Sequence, residues 1–159
     1  MFAYGLNHDG QLGVDDTVDR ATPTPLKAFA LLKMLHERFI VQVVAGAEHS
    51  AALDDSGTVH TWGASRQGQL GVGAIHTTLV ESVPRQLTPR PVLALHGVRI
   101  VQLASGGNHM LALSDTGAVY SWGCGKNGRL GHGSAKDEPQ PRRVSSLGVR
   151  ALAVACVRI

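Results

Sequence analysis

The chain has 159 residues, the length of one ordinary domain, and its 43% hydrophobic and 17% charged residues are typical of a folded protein rather than a disordered one. Neither a bilayer-spanning apolar run nor a secretory signal is present in it, so we expect no membrane association. The net charge is +3, and the residues from Lys126 onward carry +5 of it (seven basic, two acidic), which leaves −2 for the rest. Such a basic end can contact chromatin or nucleic acid, although scattered charges are also typical of a solvated face.

The chain begins with a glycine-rich motif that occurs twice more. Tyr4–Gly13, Trp62–Gly71 and Trp122–Gly131 each read aromatic-Gly, four variable residues, then Gly-x-Leu-Gly, and their starts are 58 and 60 residues apart. This spacing predicts an internal repeat. Residues 1–37 are interpreted as the end of a first repeat, which lacks its own strands and histidine, followed by an insertion.

The insertion contains strong helix formers. Leu26–Arg38 has neither Gly nor Pro, which predicts a short helix. The alternative is an extended loop packed on a sheet through apolar positions Leu26, Phe29, Ala30, Leu32 and Phe39.

Two complete repeats follow, at residues 38–97 and 98–148, and a fourth begins at 149–159. Val43–Gly73 matches Leu103–Gly133 at 13 of 31 positions without a gap. In each copy an apolar run, a polar turn ending in glycine and a β-branched run predict a hairpin. A further strand precedes each hairpin, and a fourth is expected after proline-bearing segments, at 91–94 and 142–145. The residues assigned to repeat structure are Gly46, His49, Gly57, Trp62, Gly63, Gly68, Leu70, Gly71, Gly106, His109, Gly117, Trp122, Gly123, Gly128, Leu130 and Gly131.

With these residues the chain resembles the family of regulator-of-chromosome-condensation repeats. Ala45–Gly73 and Ser105–Gly133 are nearly complete copies of its pattern of Ala-x-Gly-x-x-His-(Ser/Thr), Asp-x-x-Gly, Trp-Gly and Gly-Gln-Leu-Gly, with Met110 and Arg129 departing from it. The resemblance implies an all-β β-propeller, in this family usually a ring of seven four-stranded blades. About two and a half repeats cannot close a ring. We therefore expect a piece of a larger propeller, a truncated sequence, or a chain that self-associates through open blade edges.

The motifs that resemble catalytic, cofactor or metal sites are better explained as parts of the repeat structure. Gly123–Gly128 matches the dinucleotide pattern, but its counterparts at Gly63–Gly68 and Gly5–Gly10 show a repeat turn. Neither a nucleophile with its base nor His and Cys at metal-ligand spacing occurs in the sequence, so we expect no enzyme, cofactor or metal site. Two cysteines, Cys124 and Cys156, fit a reduced intracellular setting, cytoplasmic or nuclear.

The variable residues of the turn tips are the candidate binding residues, because loops on a rigid scaffold carry binding. The leading hypothesis is a protein-interaction scaffold that docks a partner through these tips. The resemblance implies an alternative, a segment of a guanine-nucleotide exchange factor for a Ran-type small GTPase associated with chromatin. The tip residues are Asn7, His8, Asp9, Ser65, Arg66, Gln67, Lys126 and Asn127.

Overall fold

The computed structural model describes residues 1–73 and 84–157. Residues 74–83 of the predicted second repeat and the last two residues of the predicted fourth lie outside them. Within the described part of the chain, no helix is long and apolar enough to cross a membrane. The elements are β1 (Phe2–Gly5), β2 (Arg20–Pro25), α1 (Lys27–His36), β3 (Ile40–Ala45), β4 (His49–Asp54), β5 (Val59–Ala64), β6 (Arg85–Pro91), β7 (Ile100–Ser105), β8 (His109–Ser114), β9 (Val119–Gly123) and β10 (Glu138–Arg143).

The strands form antiparallel sheets in simple chain order. Blade A has the order β3-β4-β5-β6, blade B has β7-β8-β9-β10, and the half-blade has β1-β2. The register is the same in both blades, since Ser50 faces Trp62 in blade A and Met110 faces Trp122 in blade B. The predicted all-β fold with four-stranded antiparallel sheets is confirmed.

The fourth strand lies earlier in the chain than we predicted. It ends at Pro91 and at Arg143, whereas 92–95 turns away from the sheet through a short 3-10 helix at Leu93–Leu95. The proline-rich segments are themselves the strands. They are edge strands, where a residue that cannot donate a backbone hydrogen bond is tolerated. The prolines that we expected to precede the fourth strand therefore lie within it, at the edge of the sheet.

The first repeat is also more complete than its sequence indicated. The expectation that it lacks strands is wrong, because β1 pairs with β2 from Phe2 opposite Pro25 to Gly5 opposite Arg20. The predicted helix is confirmed at Lys27–His36, which removes the extended-loop alternative.

The main core lies between the two blades. Leu53 and Val59 of blade A pack with Leu103, Met110 and Trp122 of blade B in one buried cluster. These side chains come from strands that alternate inward and outward, so each blade buries one face against its neighbour.

A second core lies where the inserted helix meets blade A. Leu26 and Phe29 cover Trp62, and the Phe29 and Trp62 ring centroids lie 5.7 Å apart, edge to face. The helix therefore covers the face of blade A opposite the one that packs on blade B.

Each tryptophan also binds the turn of the preceding repeat. The Trp62 indole N–H donates to the Gln11 carbonyl at 2.9 Å, and that of Trp122 donates to the Gln69 carbonyl at 3.0 Å. The partners lie 51 and 53 residues apart in sequence, so this one contact joins consecutive repeats.

The ends of the strands define two faces. We call the face with turns 6–13, 46–48, 64–71, 106–108 and 124–131 the tip face. We call the opposite face, which carries the hairpin turns 55–58 and 115–118 and the segments 92–99 and 144–150, the hairpin face.

Candidate partner-binding face

In two of the three glycine-rich turns, a buried polar side chain holds the turn together from inside. Asn7 is fully buried, and its Oδ1 accepts the Leu12 amide at 2.9 Å. Ser65 occupies the same position in blade A, and its Oγ accepts the Leu70 amide at 3.4 Å. These two candidate binding residues therefore lie inside the turn and not on its surface.

The glutamine of each Gly-Gln-Leu-Gly motif supports its turn as well. The side-chain carbonyl of Gln11 accepts the Asp9 amide at 2.9 Å, and that of Gln69 accepts the Gln67 amide at 2.9 Å. Blade B has Arg129 there, and its Nε donates to the Lys126 carbonyl at 2.8 Å instead. The three turns share a scaffold, and the third holds it by a different contact.

Charged residues from two repeats meet on the tip face. Arg66 of blade A donates to Asp9 Oδ1 of the first repeat at 3.2 Å and also to the Glu48 carboxylate. Asp9 is 3% exposed, so its charge is mostly removed from water. A partnered charge is the arrangement that such burial requires, and Arg66 supplies it.

Two of these acidic residues also belong to a cluster of side chains with the spacing of a cation site. Ligand atoms of His8, Asp9 and Glu48 lie within 4.8 Å of one another. The Arg66 guanidinium donates to both carboxylates, so the positive charge is already provided by the protein. The arrangement is an ion-pair network between repeats.

Glu48 was missing from the sequence-based candidates. It lies between β3 and β4, and its carbonyl accepts the Ala64 amide at 2.8 Å, which sets it beside the tip turn. Asn108 holds the same position beside Cys124 in blade B. The signal was available, because position 48 directly precedes the repeated histidine, but only the sheet register shows where it lies.

The remaining candidate binding residues differ in their exposure to solvent. His8, Arg66, Lys126 and Asn127 are exposed, and Gln67 is half-buried. His8 also lines a cleft of about 450 Å³ between the first turn and the β3–β4 turn.

The repeated histidines lie at the junction between blades. His49 Nε2 and Ser105 Oγ are 3.1 Å apart across this junction. Burial lowers the pKa of His49 to about 4, with a smaller contribution from His109. A Cβ on Gly46 would lie 2.0 Å from the His49 ring, so this position requires glycine. The geometry supports a structural role for this histidine.

Comparison with known proteins defines the family. The sequence profile of the "Regulator of chromosome condensation (RCC1) repeat" matches residues 1–53, 56–113 and 116–157, and a second profile of the same repeat matches 40–69 and 100–129. The chain belongs to the RCC1 repeat family. Each matched unit joins the outer strands of one sheet to the inner strands of the next, as in 56–113, which contains β5, β6, β7 and most of β8. Junctions between blades are therefore internal to each RCC1 repeat.

The relatives are much longer than this chain. It is 35% identical over 145 residues to the "Ultraviolet-B receptor UVR8" of Arabidopsis thaliana, covering 91% of this chain and 30% of that protein. It is 39% identical over 134 residues to the human "Probable E3 ubiquitin-protein ligase HERC3", covering 84% of this chain and 11% of that protein. The chain thus spans less than a third of these relatives.

Solved structures agree on the fold. The structure of Prp20p from Saccharomyces cerevisiae, described with "Its Binding Properties to Gsp1p and Histones", matches 99% of this chain and 37% of its own, with a TM-score of 0.80 and 22% identity. A second, of Kap60 bound to yeast RCC1 (Prp20), gives a TM-score of 0.82 at 23% identity, over 98% of this chain and 36% of that one. The described sheets are part of an RCC1 propeller.

Proposed function

We propose that this chain is part of a propeller that binds a protein partner through its tip face. The observation that carries the proposal is that equivalent turns share one buried scaffold and present different exposed residues. His8, Arg66 and Lys126 occupy the same position in the three turns, and all three are exposed. A fixed backbone with variable exposed side chains is typical of a binding surface built on a repeat scaffold.

The chemistry of the tip face suits a protein partner. Arg66 provides a guanidinium, and the exposed His8 ring lines the cleft at the first turn. Aromatic residues and arginine are enriched at protein interfaces. The two charge signs alternate here, with Glu48 beside Arg66, which fits a polar protein surface better than a polyanion.

Photo-crosslinking in the full-length protein tests the proposal. A photoreactive amino acid replaces Lys126 or Asn127 on the tip face, and Gln140 on the exposed edge strand β10 serves as the control. We expect discrete crosslinked partners from the two tip positions and none from position 140. Crosslinks from position 140 alone, or equal patterns from all three, would contradict the proposal.

An exchange factor for a Ran-type small GTPase associated with chromatin is the second candidate function. Glu48 adds an acidic residue to the tip face, and the structure of Prp20p was reported with the binding properties of that protein to Gsp1p and histones. The test is the release of fluorescent GDP from such a GTPase by the full propeller. Accelerated release supports this candidate. Partner crosslinking without acceleration supports the scaffold alone.

We also propose that the protein works inside the cell. Both cysteines are free, and burial raises the pKa of Cys156 to about 11, so its thiol stays protonated. Unpaired thiols are typical of reducing compartments.

A further inference from the structure

A cavity of about 350 Å³ opens on the hairpin face of blade A, opposite the tip face. Its walls are the hairpin turn between β4 and β5 and the segment from Pro91 to Arg99. Val92 and Leu95 form a buried apolar floor, and Leu93 is 74% exposed at the rim. The side chains of Arg38, Ser56, Thr58 and Arg99 give the cavity a charged wall at the hairpin turn, and His96 lies beside the apolar residues of the other wall.

Two guanidinium groups converge on the charged wall. Arg38 donates to the Ser56 hydroxyl and lies 3.4 Å from the Thr58 hydroxyl. Arg99 donates to the Ser56 carbonyl at 3.4 Å and to the Asp55 carbonyl at 3.3 Å. Both arginines therefore contact the same hairpin turn, from two different segments of the chain.

The positive charge of this wall is only partly balanced. Arg38 lies 3.6 Å from the buried carboxylate of Asp54, whose same oxygen lies 3.1 Å from His60. Arg99 forms no ion pair with any carboxylate of the described residues, and its contacts are to neutral carbonyls at long distances. A guanidinium gains most from an oxyanion, because charge-assisted hydrogen bonds are shorter and stronger than these.

Blade B has a related cavity with fewer donors. Its volume is about 320 Å³, and Arg150 takes the place of Arg99, donating to the Thr116 carbonyl at 2.7 Å. By repeat position Val98 corresponds to Arg38, and Ala118 replaces Thr58. The second arginine that lines this cavity, Arg143, comes from the end of β10. Blade B thus provides a natural control in which the position of Arg38 carries no guanidinium and the position of Thr58 carries no hydroxyl.

We propose that the blade A cavity binds a phosphorylated segment of a partner protein, with the phosphoryl group between Arg38 and Arg99. The paired guanidiniums and the hydroxyl of Thr58 match a phosphoryl dianion, and the apolar floor with Leu93 accepts a neighbouring apolar side chain of the peptide. A nucleic acid is less favoured, because its repeating phosphates need a row of equivalent sites. Blade B has no arginine at the position that corresponds to Arg38, so this arrangement of two guanidiniums is not repeated there.

An NMR titration of the full chain tests this site. The probe is the capped peptide acetyl-Ala-phosphoserine-Leu-Ala-amide, and the same peptide with serine is the control ligand. We expect saturable shifts of the Gly57 amide and of the Arg38 and Arg99 Nε–H signals with the phosphopeptide only. Arg99→Gln should weaken binding about tenfold or more, because one charge-assisted hydrogen bond is lost.

Variants in matched positions keep the test specific. Arg150→Gln makes the same change in blade B and should leave the affinity unchanged. Thr58→Ala copies the blade B residue, so it should preserve the fold while weakening binding. No saturation, equal loss in both arginine variants, or a phosphopeptide that binds no tighter than inorganic phosphate would overturn the proposal. Tighter binding of a short DNA duplex that depends equally on Arg99 and Arg150 would overturn it in favour of a general basic surface.

Discussion

The Trp122 indole leaves no room for a side chain at Gly71. A Cβ there would lie 2.8 Å from Nε1 of Trp122, and the backbone φ is +70°. Gly13 meets Trp62 in the same way, at 2.8 Å. Glycine is thus required at this position both by conformation and by the contact that joins consecutive repeats.

We predict that Gly71→Ala destabilises the protein by about 2–5 kcal/mol. The left-handed backbone costs an alanine about 1–2 kcal/mol, and overpacking against Trp122 adds about 1–3 kcal/mol. The matched control is Gly128→Ala, where φ is +71° and no atom lies within 4 Å, so only the backbone cost applies. Urea unfolding gives both free energies. Equal losses of unfolding free energy in the two variants would show that the Trp122 indole moves aside without destabilising the fold.

His49 makes stability depend on pH. Burial, and then the neighbouring His109, lower the pKa of His49 to about 4, so the folded protein keeps this ring neutral. The unfolded state, with a pKa near 6.5, binds the proton first as the pH falls. This contribution is therefore complete above about pH 6.5 and is lost as the pH falls toward 4; it is on the order of 3 kcal/mol. Burial also lowers the pKa of His109, which acts in the same direction.

The expected result is a free energy of unfolding that decreases from pH 7 to pH 5. His49→Gln should flatten this slope, whatever its effect on stability at pH 7. His96 is exposed in the segment after β6, and His96→Gln should leave the slope as it is. Urea unfolding at several pH values measures the slopes. If the His49 and His96 variants have the same slope as the parent, His49 is not the titrating group.

Among the secondary-structure elements, the innermost strands of the two blades are joined by a side-chain amide. The Gln42 amide of β3 donates to the Leu103 carbonyl at 2.9 Å and accepts the Leu103 amide at 2.8 Å. Gln102 of β7 makes the same pair of bonds to Val154, at 3.2 and 3.0 Å. One glutamine thus replaces the backbone pairing that two separate sheets cannot make.

Removing this amide should loosen the junction between blades. Gln42→Leu leaves both backbone groups of Leu103 without partners, and we expect a loss of about 2–4 kcal/mol and faster exchange of the Leu103 amide. Gln140→Leu, at an exposed position on β10, is the control and should change neither. Hydrogen exchange followed by NMR measures the exchange rate of the Leu103 amide directly. An unchanged Leu103 exchange rate in Gln42→Leu would mean that water takes over the bonds.

The repeated sequence predicted the hairpins and the buried tryptophans, because glycine turns and alternating β-branched residues determine local structure within a few positions of the chain. Contacts between repeats were beyond such reasoning. Gln42 and Leu103 are 61 residues apart, and Arg66 and Asp9 are 57 apart. Variable residues were read as exposed, yet Asn7 varies among the repeats and is buried, because an amide and a hydroxyl can both cap the same turn.

Across the whole molecule, the half-blade exposes three large apolar residues that lie close together in the chain. Tyr4 takes the repeat position of Trp62 and Trp122, which are 1% and 0% exposed, but Tyr4 itself is 68% exposed. Phe2 and Leu6 beside it are 66% and 64% exposed. In blade A the inserted helix and the preceding turn cover this position, and in blade B residues of blade A and the preceding turn cover it. An uncovered strand edge with apolar side chains invites pairing with another chain.

We therefore predict that the 159-residue chain, expressed by itself, associates with itself through the β1 edge. Analytical ultracentrifugation should show an average mass that rises with concentration above 16.8 kDa. Replacing Tyr4 and Leu6 by lysine should shift the chain toward monomer, since charges on an edge strand oppose pairing. Met34 on α1 is 73% exposed, so Met34→Lys removes a comparable apolar residue elsewhere and should not change the association. A monomer at all concentrations, or equal effects of the two variants, would show that the β1 edge is not the surface that self-associates.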